Sequence, residues 1–269
     1  MLLFRRVSLV CRMRRMLSLA PEATPDDLLD MVGLYDGCLA YSDWLVGLTR
    51  EGLERRGQWE DTAVVVTADH GDMLGERGLL GHGRTADMYL PLLRIPLIVR
   101  LPGLEGNGRA SAAVVQMADI TRTLASLGGV PGQLSPSAAQ TVDLREAAAG
   151  RGRSMAISER QPMGERSVLS ARKKSPHFDF EPHQCHMTAV LQDGWRLIHR
   201  SDGRHELYRV AVDAAEKHNL AATEPGRLAE LVQAVEDWQS RALPHPATRS
   251  LKTHEEAIVE KRLQDLGYF

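Results

Sequence analysis

Hydrophobic positions change their period along the chain, and each change marks an element. From Pro25 to about Arg56, Leu28, Val32, Tyr35, Leu39, Val46 and Leu53 recur at three- or four-residue steps or their sums. That is the spacing of one helix face, so the pattern predicts a long helix with a single buried stripe. Thr24 is placed to cap it, Pro25 suits the first helical position, and Asp26 and Asp27 suit the positive end of the helix dipole. Gly57 is the expected stop. Thr62 to Thr67 is apolar and β-branched on both faces, as a central strand of a parallel sheet would be. "IPLIVR" (Ile95–Arg100) reads as a second strand, ending at the Pro102-Gly103 turn. A short helix follows over Ile120–Leu127, with Asp119 as its cap and Gly128 as its stop. Helix, strand, loop, strand, helix is the order of an α/β layer.

The pattern changes again after Val130. "PGQLSPSAAQ" reads as a linker. Beyond it, "SMAISER", "MTAVLQD", "WRLIHRS" and "HELYRV" are short strands, and Asp193-Gly194 and Asp202-Gly203 are hairpin turns. Helices are expected over Pro225–Arg241 and Thr253–Leu266, the second with Thr253 and Glu256 as a capping box. The expected domains are therefore an Arg-rich, unstructured leader (residues 1–23), an α/β unit (24–150) and a small α+β subdomain with an antiparallel sheet (151–269).

Composition narrows the function classes. The 269-residue chain has a formal net charge of -2, which gives no global attraction to nucleic acid or to an anionic membrane. It has no apolar run near the roughly 20 residues of a spanning helix. Cys11, Cys38 and Cys185 form no CxxC pair, which argues against a zinc cluster or a disulfide framework. A reducing, cytoplasmic setting is the simpler expectation. The leader "MLLFRRVSLVCRMRRMLSLA" interrupts its apolar residues with arginines, unlike a secretory signal.

The chemistry gathers in "VVVTADHGDMLGERGLLGHG", Val64–Gly83. In open α/β sheets ligands bind beyond the carboxyl ends of strands, where Asp69 and His70 stand. A carboxylate oxygen and a neutral imidazole nitrogen both ligate divalent metals. Two ligands are too few, and the turn by itself suits Asp69 as a turn cap and His70 as a plain polar residue equally well. Gly71 allows a tight turn. "GLEGNG" (Gly103–Gly108) has the wrong spacing for a phosphate loop, and His177, His183 and His186 do not have zinc-site spacing.

The flanking residues carry a resemblance. "LYDGCLAYSDWLVGLTREGLERRGQWEDTAVVVTADHGDMLGERGLLGHG", "YLPLLRIPLIVRLPG" and "VVQMADITRTLASLGGVP" follow one another in the order and spacing of the sulfatase family, within the alkaline-phosphatase superfamily. "HELYRVAVDAAEKHNLA" also resembles that family's C-terminal segment. The resemblance implies a partial alkaline-phosphatase-like fold, with a mixed or parallel sheet flanked by helices. It implies that Asp69 and His70 are metal ligands and that His82 is catalytic, contacting the oxygens of the transferring group. Arg84 is a second anion contact, while Tyr41, Asp43, Arg94 and Asp119 are structural. The implied metal is Ca²⁺ by family, with Mn²⁺ or Zn²⁺ suited to the imidazole. The implied substrate is a small sulfate ester.

The family's nucleophile motif, C/S-x-P-S-R, does not occur in the sequence, and none of the three cysteines fits it. Nor does the family's early carboxylate pair. The chain is thus expected to be the C-terminal portion of a sulfatase-like enzyme, with a sheet edge open to self-association. Two other readings stay open: a phosphodiester or phosphonate ester hydrolase of the same superfamily, and an inactive remnant or binding module.

Overall fold

The computed structural model describes residues 24–82, 88–103, 108, 110–130, 141–162, 164, 168–169, 172–173, 179–241, 258–259 and 261–262. The leader, Arg84, the 131–140 linker, His177 and most of the helix expected over 253–266 lie outside them. By contact pattern the chain divides into Met1–Val235 and Glu236–Phe269.

Helix α1 runs Pro25–Arg55. Its start is set as the sequence predicts: Asp27 N–H donates to Thr24 Oγ1 (3.2 Å) and Thr24 N–H donates to Asp27 Oδ2 (3.1 Å). Arg56 is the C-cap, and Gly57 follows at φ 65°. The single buried stripe is not observed. Met31 alone in α1 is buried, while Leu39 is 60% exposed and Trp44 54%. Periodicity identifies residues that share a face; it does not say what covers that face. Tyr41, Leu45 and Leu48 stand on the opposite side from Leu39 and are also exposed, so α1 is apolar on two faces. Its first turns pack, with Met31 and Leu28 against Leu74 and Leu80, and Gly52 and Leu53 near its end are half-buried.

Strand β1 (Val64–Thr67) pairs with β4 (Leu97–Arg100), from Val64↔Arg100 to Thr67↔Leu97. The pairing is antiparallel, which corrects the parallel strand expected there. A β-branched run reports that both faces suit burial; the returning direction is set by what lies between. That intervening chain holds β2 (Met73–Leu74), β3 (Leu80–Gly81) and the one-turn helix α2 (Leu90–Leu93). Every strand pairing among the described residues is antiparallel. The α/β class stands, with helix and sheet mixed along the chain. Helices α3 (Met117–Leu127) and α4 (Leu144–Ala148) follow. The cap of α3 is Gln116; Asp119 acts from the third helical position, accepting from Gln116 N–H at 2.8 Å.

The second half matches its pattern closely. β5 (Met155–Arg160), β6 (Met187–Gln192), β7 (Trp195–Arg200) and β8 (Glu206–Arg209) form an antiparallel meander in that order. Asp193 and Gly194, at φ 52° and 74°, make the tight turn between β6 and β7. Alternation sends Met187, Ala189, Ile198 and Tyr208 to one face, where they pack with Met73, Leu79, Met88, Tyr89 and Leu92. Val190, Leu197 and Leu207 go to the other, against Leu231 and Val235 of helix α5 (Pro225–Arg241). The β2–β3 hairpin and α2 thus rest on one face of a rigid sheet.

The β7–β8 turn carries an acid-sensitive contact. Burial would raise the Asp202 carboxyl, but hydrogen bonds from Arg200 and Arg204 outweigh it and hold the group well below the usual carboxylate range. A depressed carboxyl stabilises the fold fully above its unfolded value, about pH 4, and loses that contribution as pH falls through the folded value. The stability gap between the wild type and Asp202→Asn, followed by thermal melts, should therefore shrink from neutral pH towards about pH 2.

Candidate metal centre

The site begins where β1 ends. Thr67 Oγ1 donates to Pro96 O at 2.8 Å, closing the strand end against the start of β4. The chain then turns through Asp69, His70 and Gly71. Gly71 N–H donates to Leu92 O at 2.9 Å, pinning the turn to α2. A Cβ on Gly71 would lie 1.9 Å from Pro91 O and 3.0 Å from Pro91 C. Both are backbone atoms and cannot swing aside, so the close approach requires glycine.

Asp72 leads into the hairpin. Met73 pairs with Gly81 and Leu74 with Leu80, and one further step of that register sets Asp72 opposite His82. The reversal at Gly75–Leu79 is tied by Gly75 N–H to Leu79 O (3.0 Å) and Gly78 N–H to Gly75 O (3.1 Å). Two residues ten apart in sequence therefore meet, with His82 Nδ1 2.7 Å from Asp72 Oδ1. The His82 and His70 rings lie 3.9 Å apart at 35°.

Each imidazole has its Nδ1 engaged. His70 Nδ1 is 2.9 Å from Gly71 O, a carbonyl that can only accept, so Nδ1 of His70 carries the proton. Asp72 accepts from His82 Nδ1 in the same way. In the neutral ring the lone pair then resides on Nε2, the arrangement that suits a metal-binding histidine with an outer hydrogen-bond partner. His70 Nε2 is 3.7 Å from Asp69 Oδ2, while Asp69 Oδ1 accepts from the His70 N–H at 2.9 Å. Two ligands held at ~2.1 Å from one ion stand about 3–3.5 Å apart, close to that separation. Donor atoms of His70, Asp72 and His82 lie within 4.8 Å of one another. The Asp69 side chain is 81% exposed and His82 49%, so the group opens to solvent. Two imidazole nitrogens with carboxylate oxygens fit a borderline ion such as Zn²⁺ or Mn²⁺; Ca²⁺ takes six to eight oxygens.

The structure thus brings His70 and His82 together with Asp72; Asp69 meets His70 but stands outside that group, and Arg84 lies outside the described residues. Sequence reasoning missed Asp72. Its signal was the Gly-Glu-Arg-Gly reversal between two leucine-rich ends, which makes a hairpin and sets Asp72 against His82. Asp119 is fully buried and structural, paired with Arg153 and accepting from Val142 N–H at 2.9 Å. His186 sits 3.5 Å from Glu159, and among the described residues neither it nor His183 joins a ligand group. Cys38 is exposed on α1; Cys185 is buried, and burial pushes its thiol up, away from the nucleophilic thiolate.

Residues 13–130, which include the whole centre, match the profile of the sulfatase family. The chain is 34% identical over 110 residues to an uncharacterized sulfatase of Escherichia coli K12, covering 41% of this chain and 21% of that protein. It is 25% identical over 228 residues to arylsulfatase K of Danio rerio, covering 81% and 39%. Its fold is similar to the crystal structure of the phosphonate monoester hydrolase of Agrobacterium radiobacter, with TM-score 0.67 and 22% identity over 82% of this chain and 44% of that one. The chain therefore spans about a fifth to two fifths of the length of these curated relatives. Among the described residues no helix is long and apolar enough to cross a membrane.

Gly71→Ala should cost about 2–4 kcal/mol of stability, because the added methyl must displace backbone. Urea unfolding would measure the loss, and the His70 ring resonances should move with the turn.

Proposed function

Because residues 13–130 match the sulfatase family profile, we propose that the chain supplies metal ligands and an anion contact to a centre that hydrolyses sulfate esters. The observation that carries the reading is the matched state of the two imidazoles. Both have Nδ1 engaged by an acceptor, and both stand beside carboxylates at a solvent-open strand end.

Asp69 and His70 are assigned as ligands, with the backbone carbonyl of Gly71 fixing the His70 tautomer. His82 faces the same space and is assigned to the ester oxygens, which its Nε2 contacts when that nitrogen carries a proton, with Asp72 orienting the ring through Nδ1. One imidazole beside a carboxylate suits Mn²⁺ or Zn²⁺, and Ca²⁺ where further oxygen ligands complete the set. A bound divalent ion supplies positive charge that stabilises negative charge gathering on the transferring group. No residue assigned here is the attacking nucleophile, and the C/S-x-P-S-R sequence does not occur in the chain. A phosphonate or phosphate ester presents similar anionic oxygens, so the substrate test must include both classes.

Calorimetric titration of the metal-free chain with Mn²⁺ and Zn²⁺ tests the centre, and 4-nitrophenyl sulfate and a 4-nitrophenyl phosphonate ester test the chemistry. His70→Ala or Asp69→Asn should weaken binding by about tenfold or more. Metal-stimulated release of nitrophenol from the sulfate should fall in parallel. Hydrolysis of the phosphonate alone would move the assignment to that ester class. Wild-type binding that survives both substitutions would remove the centre altogether.

A further inference from the structure

The segment "HELYRVAVDAAEKHNLA" (His205–Ala221) contributes no donor to the metal centre. It meets instead the far end of the hairpin that carries Asp72 and His82. Arg77 occupies that tip at φ 55°, ψ 22°, a left-handed backbone in which an ordinary side chain is strained. Its guanidinium donates to Tyr208 Oη at 3.0 Å and to the Glu216 backbone carbonyl. It also lies over the Tyr89 ring, 4.1 Å from the centroid. Glu216 is itself buried and immobilised: its carboxylate pairs with Arg196 and accepts from Leu90 N–H at 2.8 Å. Leu90 opens α2, and Leu92 O of that helix receives Gly71 N–H. Both approaches to the centre, the Gly71 turn and the β2–β3 hairpin, therefore lead back to Glu216.

We propose that Arg77 is a positioning residue for the His70–Asp72–His82 group: by tying the hairpin tip to Tyr208 and Glu216, it sets where Asp72 meets His82. The inference rests on the metal reading above and extends it to a residue that touches neither ion nor ester. The hairpin ladder is two residue pairs long, too short to hold its own register in water. Met73 and Leu79 are buried and hold it to the sheet. Apolar contact is non-directional, however, and leaves the rotation of the ladder about that contact unset. A guanidinium fork with two acceptors and an aromatic face fixes direction as well as distance. That directional contact also explains why an arginine, with its strained backbone, occupies a position where glycine would fit more easily.

The test uses the full chain with Co²⁺ as the metal, followed by visible absorption, together with histidine ring NMR before metal is added. Arg77→Gly suits the left-handed backbone, so it removes the tether without adding strain. It should shift the His70 and His82 ring resonances, weaken Co²⁺ binding by about tenfold and alter the absorption spectrum. Arg77→Lys, which keeps a donor, should recover part of each change. Arg153→Ala, which breaks the buried pair with Asp119, serves as the stability control and should leave all three readouts as in the wild type. Unchanged rings and unchanged affinity in Arg77→Gly would overturn the inference, because burial of Met73 and Leu79 would then suffice. Displaced rings in Arg77→Gly, in a protein whose wild type takes up no Co²⁺, would remove the metal reading and leave the positioning role standing.

Discussion

The pair between Arg196 and Glu216, 2% and 1% exposed, is the contact on which the arrangement of the first unit depends. Removing two charges from water costs several kcal/mol per ion, and mutual attraction offsets this best when the remaining polar atoms are also satisfied; both Glu216 carboxylate oxygens are, while Arg196 Nη2 has no partner among the described residues. Burial draws the Arg196 guanidinium down to about 10, which still leaves it charged at neutral pH. Glu216 spends its second carboxylate oxygen on Leu90 N–H and its backbone carbonyl on Arg77. It does so from φ 52°, a strained conformation that these contacts hold in place. One residue in a loop after β8 thus fastens α2 and the hairpin tip to the four-stranded sheet. Beside it Tyr208 keeps its proton: burial first, then the Glu206 carboxylate, pushes it up to about 12. Tyr208 can therefore donate to Glu206 while accepting from Arg77.

That network explains how an exposed centre can be an ordered one. Asp69, His70 and His82 lie on turns, where side chains are ordinarily loose. The turn is fixed through Gly71 to α2, and α2 through Leu90 to Glu216. The hairpin is fixed through Met73, Leu79 and Arg77. The donor groups stay open to solvent while their backbones are held by a rigid layer, an arrangement that lets a ligand enter without reorganising the site.

Much of this was legible in the sequence where the signal is local. The Thr24 cap, the Gly57 stop, the Asp193-Gly194 turn and the four strands of the meander follow from residues within a few positions of one another. His70 and His82, which the structure brings together, were linked only through family resemblance, since "DHG" alone suits a plain turn. Asp72 was not found, because its role depends on hairpin register and on a partner ten residues away. The β1–β4 direction was misread for a related reason: β-branched composition records a strand's surroundings and carries no vector. The stripe on α1 was read correctly as a set of positions and wrongly as a buried face. Arg77 and Glu216 could not have been linked, because 139 positions separate them and neither sits in a pattern that names the other.

The exposed face of α1 has an optical consequence. Trp59 has two cations over its ring, Arg50 at 5.3 Å and Arg100 at 4.4 Å, and Trp195 has Arg209 and Arg227. Trp44, on the open helix, has the Tyr41 ring beside it at 5.5 Å and is more than half exposed. Its indole therefore emits at the red, water-relaxed end of the tryptophan range. Any polypeptide, lipid or second copy that settles on α1 must strip that water away. The helix thus carries its own fluorophore, whose colour reports whether the face is bare or covered.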